Sequence, residues 1–95
     1  MFNNQRYVTK GITNTVPLVT QIILWDCIDS MKVERKDYLQ VFKLVANGAN
    51  QQITHSQEEP DYKRTFTFPT DEPITAKIFV IDDETHTTML LAEEY

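Results

Sequence analysis

The chain has 95 residues, of which 41% are hydrophobic and 24% charged, and its formal net charge is −5 at pH 7. This length and composition predict a single domain over residues 1–95 that folds without disulfides or metals. The lone Cys27 excludes an internal disulfide, and no apolar run approaches the ~20 residues of a membrane-spanning helix. Because the chain also starts without a signal-peptide pattern, we expect a cytoplasmic protein that makes no membrane contact.

The charge is unevenly distributed along the chain. Residues 1–47 contain six Lys/Arg and four Asp/Glu, a net charge of +2, whereas residues 48–95 contain three Lys/Arg and ten Asp/Glu, a net charge of −7. Because an acidic surface repels phosphate groups, we expect no nucleic acid among the partners. The acidic half is typical of a solubilising surface, and the alternative is an acidic face that binds a basic partner.

The first third of the chain predicts one short strand and one helix. The strand spans Arg6–Lys10, and the helix runs from about Pro17, which is tolerated in a first helical turn, to Val33. Its apolar side chains form one broad face, although Val19 and Ile22 fall among the polar positions. A face of this width predicts that the helix packs on a sheet. The residues of the apolar face are Leu18, Ile23, Leu24, Trp25, Cys27, Ile28 and Met31.

The remaining two-thirds of the chain predicts about five successive strands, each bounded by turn residues. Short loops between successive strands favour antiparallel pairing. The predicted fold class is therefore α+β, with a mostly antiparallel sheet of about five or six strands and one main helix packed on one face. The predicted strands are Tyr38–Val45, Gln51–Gln57, Tyr62–Phe68, Ile74–Ile81 and His86–Ala92, the second of them at a sheet edge.

The last two strands predict a hairpin that is apolar on both faces. If Ile81 pairs with His86, then Phe79, Ile81 and Leu90 share one face. One helix covers only one side of a sheet, so these three residues need a second cover or form an exposed patch. We predict them as a possible interface with a second copy or another protein. The alternative is that the sheet curls and its own strands cover them.

No complete catalytic or ligand-binding motif is present. The only glycines, Gly11 and Gly48, lie far apart, which excludes a phosphate-cradling loop and a dinucleotide fingerprint. His55 and Ser56 are adjacent, but neighbouring strand residues point to opposite faces, so they cannot form a nucleophile–base pair. We expect His55 to be partly exposed and Cys27 to be a buried structural residue. The sequence therefore predicts no catalytic residues, no cofactor and no metal ligands.

Two patterns leave other functions open. His86 follows the acidic run Asp82–Glu84, so one alternative is a small enzyme, or a ligand or metal binder, that uses His55 or His86 with nearby carboxylates. The alternating row Tyr62–Phe68 places aromatic rings beside Arg64, and such a row can stack the bases of single-stranded nucleic acid. The competing interpretation is that its phenylalanines belong to the core while the arginine reaches solvent.

Five stretches spread over most of the chain resemble one known family. They are Gln5–Gly11, Tyr38–Phe42, His55–Glu58, Asp71–Asp83 and Met89–Glu93. These stretches are similar to a family of small uncharacterised proteins of low-GC Gram-positive bacteria, described as a staphylococcal domain of unknown function. The resemblance implies a stand-alone cytosolic bacterial protein, and it implies no activity, cofactor or site residue.

The leading functional hypothesis is a non-enzymatic interaction module. A small α+β domain without a catalytic motif is expected to bind itself or another protein rather than to transform a substrate. We therefore expect a protein partner or a homo-oligomer, and no enzymatic activity.

Overall fold

A six-stranded, mostly antiparallel sheet is the frame of the protein, in a computed structural model that describes all 95 residues. The strand order is β1-β6-β5-β2-β3-β4, and every neighbouring pair is antiparallel except β1 and β6, which are parallel. The fold is α+β, as the sequence predicted. The elements are β1 Gln5–Val8, α1 Lys10–Thr15, α2 Leu18–Asp29, β2 Leu39–Asn47, β3 Asn50–Gln57, β4 Tyr62–Pro69, β5 Ala76–Asp82 and β6 His86–Leu91, followed by a short 3₁₀ helix, Ala92–Glu94.

The segment before the main helix forms a short helix, α1, that the sequence pattern did not predict. The Thr9 side chain caps α1 by accepting a hydrogen bond from the Ile12 backbone N–H. Pro17 then has an extended backbone and separates α1 from α2. The main helix therefore begins where expected, but it ends at Asp29, four residues before the predicted Val33. At this end the backbone N–H and the hydroxyl of Ser30 both donate to the Asp26 carbonyl.

The helices cover one face of the sheet only. Buried side chains alternate along β2, β3 and β5, as expected for strands that bury one face. The apolar side chains of this face pack with those of α1, α2 and the N-terminal Phe2. The core residues are Phe2, Ile12, Val16, Leu24, Cys27, Ile28, Phe42, Leu44, Ile53, Ile78, Val80, Met89 and Leu91.

The outer side of α2 is apolar at its N-terminal end. Val19 and Ile22, which the helical pattern placed among polar positions, are exposed. Leu18 was expected on the buried face but is also exposed, because it lies before the first buried turn of α2, which starts at Thr20. Neither helix has the length and apolar character needed to span a membrane.

The parallel edge strand β1 is held to α2 by one arginine. The Arg6 guanidinium makes a bidentate ion pair with the Asp29 carboxylate and lies over the Trp25 ring, 4.8 Å from its centroid. Bidentate pairing fixes the orientation of both groups as well as their distance. This contact joins the first strand of the chain to the C-terminal end of α2.

The strand β3 lies inside the sheet, so its predicted edge position is wrong. It lies between β2 and β4, and the edges are β1 and β4. The prediction failed because β3 is polar, yet its polar side chains on the helix-covered face are buried in hydrogen bonds rather than exposed to solvent. These buried polar residues are Gln51, His55 and Gln57.

The C-terminal hairpin differs in register from the prediction. Ile81 lies opposite Thr88 rather than His86, because Asp82 joins β5 and pairs with Thr87. The pairing is shifted by two residues, and a shift of two leaves every side chain on its predicted face. Three residues therefore lie on the face away from the helices, as expected. They are Phe79, Ile81 and Leu90.

Candidate functional site

The face of the sheet opposite the helices, the open face, has an apolar centre. The strand pairings place Leu39 opposite Ile81, Val41 opposite Phe79, and Phe79 opposite Leu90. Directly opposed side chains on one face lie within contact distance, so these residues form one contiguous surface. We call it the open-face patch, and its members are Leu39, Val41, Phe79, Ile81 and Leu90.

The members of the open-face patch differ in exposure. Leu39, Val41, Phe79 and Ile81 are half-buried, whereas Leu90 is only 9% exposed. Of the three residues that the sequence singled out, Phe79 and Ile81 therefore contribute most of the accessible surface. Leu90, directly opposite Phe79 on the neighbouring strand, contributes little accessible surface.

Two exposed tyrosines border the open-face patch. Tyr95 lies edge-on to Phe79, with 5.7 Å between ring centroids, and Tyr7 lies edge-on to His86 at 5.4 Å. Both tyrosines expose more than half of their surface. An apolar centre with exposed aromatic rings around it is the arrangement seen in protein interfaces, where tyrosine supplies contact area at low entropic cost.

One end of the open face is cationic. Lys43 and Lys77 lie directly opposite each other on β2 and β5, and both are exposed. Neither forms an ion pair, and the Lys77 ammonium lies 5.6 Å from the centroid of the Phe79 ring. Like charges directly opposite each other on a sheet are unfavourable. The two lysines therefore repel each other, and an acidic group of a binding partner would reduce this repulsion.

The other end of the open face is acidic and contains a shallow concavity of about 360 Å³. Its acidic lining residues are Asp37 and Glu58, and its apolar ones include Leu39 and Val41. The Asp37 carboxylate accepts hydrogen bonds from the backbone N–H groups of Leu39 and Glu59, at 3.3 and 3.1 Å. The concavity is therefore a fixed feature at the junction of β2 and β3.

His55 lies on the opposite side of the sheet, and the expectation that it is partly exposed is wrong. It is 1% exposed and stacks on Phe42, with ring centroids 4.3 Å apart. Its Nε2 lies 2.6 Å from Gln40 Oε1. The Gln40 amide nitrogen donates to Gln57 Oε1 and to the Asp37 carbonyl, so Oε1 must accept and His55 Nε2 must bear the proton.

The second ring nitrogen of His55, Nδ1, is buried without a hydrogen-bond partner in the protein. Burial, together with the positive charge of Arg64, lowers the pKa of His55 to about 4. The side chain is therefore neutral at physiological pH and makes no contact with a carboxylate. Ser56 lines the concavity on the open face, which confirms that the two adjacent side chains point to opposite sides.

His86 is the only histidine that meets a carboxylate. Its Nε2 lies 3.2 Å from Asp83 Oδ2, and its Nδ1 lies 2.9 Å from the Thr85 hydroxyl. The strands of His55 and His86 are three spacings apart, about 14 Å, and the two rings lie on opposite faces. The structure therefore does not bring the two histidines together, and it contains no group of three or more His, Cys, Asp or Glu side chains placed to hold a metal ion.

The aromatic row of β4 faces the helix layer rather than solvent. Tyr62 lies edge-on to the buried His55, and Phe66 and Phe68 pack against the core. The exposed Arg64 guanidinium lies 5.0 Å from the centroid of the Phe66 ring. The interpretation of these phenylalanines as part of the hydrophobic packing is therefore the one that the structure supports.

Cys27 is buried, as the helical pattern predicted. Burial raises the pKa of its thiol to about 11, although Arg64 opposes this effect. A thiol with so high a pKa is almost fully protonated at neutral pH and is a poor nucleophile. Its contacts are those of a small apolar side chain within the core.

Two parts of the open face were not found from the sequence. Leu39 and Val41 lie in a recognised strand, but nothing local indicates that β2 pairs with β5. The opposition of Lys43 and Lys77 depends on the same pairing. The signal that was available is the alternation along β2, where Leu39, Val41 and Lys43 share the face opposite the buried Phe42.

Comparison with known proteins agrees with the fold. A crystal structure of a protein of unknown function from Enterococcus faecalis is similar over 98% of this chain and 92% of that chain, with a TM-score of 0.83 and 24% sequence identity. Likeness at this identity shows the fold alone. No curated protein matches the chain. A family model described as a staphylococcal protein of unknown function (DUF960) matches residues 5–94, and the chain therefore belongs to this family, as its sequence resemblance indicated.

Proposed function

We propose that the protein is a non-enzymatic interaction module that binds another polypeptide through the open face of its sheet. The observation that carries this proposal is the open-face patch, which lies on the side of the sheet that neither helix covers. Residues of three neighbouring strands contribute to it, so the patch is continuous. Contiguous apolar surface bordered by polar residues is typical of an interaction site.

The composition around the patch supports binding. Exposed tyrosines border the apolar centre, lysines mark one end, and acidic residues mark the other. Aromatic residues are enriched in the energetically important parts of interfaces, and charges at the rim favour one orientation of the partner. The shallow concavity beside Val41 offers space for a partner's side chain.

The distribution of reactive groups supports binding over catalysis. A catalytic centre needs a nucleophile or acid–base group within hydrogen-bond reach of its activating partner. Here His55 and Cys27 are buried in the core, and the exposed pair of His86 and Asp83 lies at a hairpin turn and does not line the concavity. His86 lies within hydrogen-bond reach of Asp83 and of the Thr85 hydroxyl, but these three residues are on an exposed turn and none of them lines a pocket that could hold a substrate.

Site-specific photo-crosslinking in living cells of the source organism tests the proposal. A photoreactive phenylalanine analogue replaces Tyr7, at the border of the open-face patch, or Ile22, on the outer side of α2. These side chains are 52% and 57% exposed, so Ile22 is a matched control for surface reactivity. We expect a discrete crosslinked species from position 7 and none from position 22.

A second experiment removes apolar surface without disturbing the strands. Val41→Thr combined with Ile81→Thr keeps β-branched side chains, which favour strands, and replaces a methyl group of Val41 and the ethyl group of Ile81 with a hydroxyl at two half-buried positions. We expect the double variant to stay folded by circular dichroism and to lose the crosslink from position 7. An unchanged crosslink in the folded double variant, or a crosslink from position 22 alone, would contradict the proposal.

A further inference from the structure

We propose that the polypeptide bound by the open face is a second copy of this chain, docked face to face about a two-fold axis that crosses the strands. This inference rests on the proposed function and names its partner. The observation behind it is the arrangement of charges on β2 and β5, which is complementary to itself when the face is turned end over end.

The charges are placed symmetrically about one residue pair. Gln40 on β2 and Val80 on β5 are opposite each other. Along the strands, this pair lies between Leu39 and Ile81 on one side and Val41 and Phe79 on the other, so it marks the centre of the open-face patch. Counting three residues from this pair in one direction reaches Lys43 on β2 and Lys77 on β5. Counting three residues in the other direction reaches Asp37 and Asp83. Each step of three residues spans about 10 Å along an extended strand.

The four charged residues are accessible to a partner on the open face. Asp37 lines the concavity there, and Asp83 pairs with His86, whose ring contacts Tyr7 on the same face. The two lysines are exposed and form no ion pair within the chain. One end of the face is therefore cationic and the other anionic.

Only one orientation of a second copy satisfies these charges. A two-fold axis across the strands exchanges the two ends, so the lysines of each copy lie over the aspartates of its partner. An axis along the strands would instead place lysines over lysines and aspartates over aspartates. Like-charge juxtaposition across an interface is strongly unfavourable, which selects the first orientation.

The apolar centre and the size of the face fit the same assembly. The axis passes through the open-face patch, so Val41 and Phe79 of one copy meet the same patch of its partner, as a self-complementary interface requires. The face spans five strand spacings, about 24 Å, and the seven residues of β5 extend about 23 Å. The area of a face with these dimensions is of the order of the ~800 Å² per partner that a standard interface buries.

Sedimentation analysis of the purified full chain tests the inference. We expect the wild-type protein to form a dimer with twice the chain mass of 11.1 kDa, and added salt to weaken it because exposed charges are screened. Lys43→Glu with Lys77→Glu should raise the dimer dissociation constant about tenfold or more, since each reversed charge then meets an aspartate.

A matched control reverses a charge outside the patch. Lys10 is exposed at the start of α1, on the helix-covered side of the sheet, and Lys10→Glu should leave the dissociation constant unchanged. A dimer that tightens in the Lys43→Glu and Lys77→Glu variant would overturn the proposed orientation. A wild-type monomer at millimolar concentration would overturn self-association. In that case, a crosslink from position 7 to a different protein would still support the proposed interaction module, so the two failures are distinguishable.

Discussion

The carboxylate of Asp82 accepts a 2.6 Å hydrogen bond from the backbone N–H of Phe2, a residue eighty positions earlier in the chain. The other carboxylate oxygen accepts from the Asn4 amide and from the backbone N–H of Glu84. Phe2 and Glu84 are the two non-glycine residues with positive φ, at 66° and 81°. One buried side chain thus anchors the N-terminal segment and the hairpin turn, and it holds both in an unfavourable backbone region.

Asp82→Asn is expected to destabilise the protein by about 2 kcal/mol, because an amide nitrogen facing the Phe2 N–H leaves a buried donor without an acceptor. Burial alone would raise the pKa of Asp82, but the hydrogen bonds from Phe2, Glu84 and Asn4 outweigh burial and lower it. This contribution to stability is present above the unfolded pKa and is lost as the pH falls through the folded pKa. Urea unfolding measures the loss, and Asp71→Asn, at an exposed position, should leave stability unchanged.

Gly11 and Glu94 are expected to be strongly coupled. A Cβ atom at position 11 would overlap Glu94 Oε1. That oxygen accepts hydrogen bonds from the Thr9 hydroxyl and the Leu91 backbone N–H, which lower the pKa of Glu94. Gly11→Ala should therefore destabilise the wild-type protein by displacing the carboxylate.

The same substitution in a Glu94→Ala background should be neutral, or stabilising by up to about 1 kcal/mol, because alanine has the higher helix propensity. A double-mutant cycle of unfolding free energies measures the coupling. Equal effects of Gly11→Ala in both backgrounds would show that the carboxylate does not occupy this position.

Cys27 is expected to react slowly with a thiol reagent in the native state and quickly after unfolding. Its side chain is buried, and burial raises the pKa of the thiol to about 11, so little thiolate is available. A Cys27→Ala, Thr67→Cys variant moves the thiol to an exposed position on β4 and should react rapidly while folded. Rapid native labelling of Cys27 itself would contradict its placement in the core.

Local patterns were sufficient to predict the parts of the fold that depend on neighbouring residues. The alternation in β5 and β6 placed Phe79 and Leu90 on one face. This placement is correct although the predicted register was wrong by two residues, because side chains on one face of a strand repeat every two residues. The periodicity of α2 likewise placed Cys27 in the core. The family resemblance was also apparent from short stretches of sequence.

Long-range pairing could not be predicted in this way. The apolar centre of the open face exists because β2 pairs with β5, whose residues lie more than thirty positions away in sequence, and no local signal encodes that choice. The burial of His55 has a similar origin. A polar strand was expected at a sheet edge, yet Gln40 and Gln57 supply hydrogen bonds that make an interior position possible.

His55 is expected to make the protein less stable in mild acid. Burial, with a smaller effect from Arg64, lowers the folded-state pKa to about 4 from an ordinary value of 6.5. As the pH falls below 6.5, the unfolded chain takes up a proton before the folded chain does, so the unfolded state is favoured. The stability present above pH 6.5 is therefore lost progressively until about pH 4, where the folded protein also binds the proton.

Urea unfolding between pH 7.5 and pH 4.5 should show this loss, which the pKa difference sets at about 2–3 kcal/mol. In a His55→Gln variant, which removes the titrating ring, the loss over the same interval should be smaller by about this amount. If stability falls with pH equally in the wild-type and His55→Gln proteins, His55 is protonated equally easily in the folded and unfolded states. That result would contradict its burial against Phe42 and Tyr62.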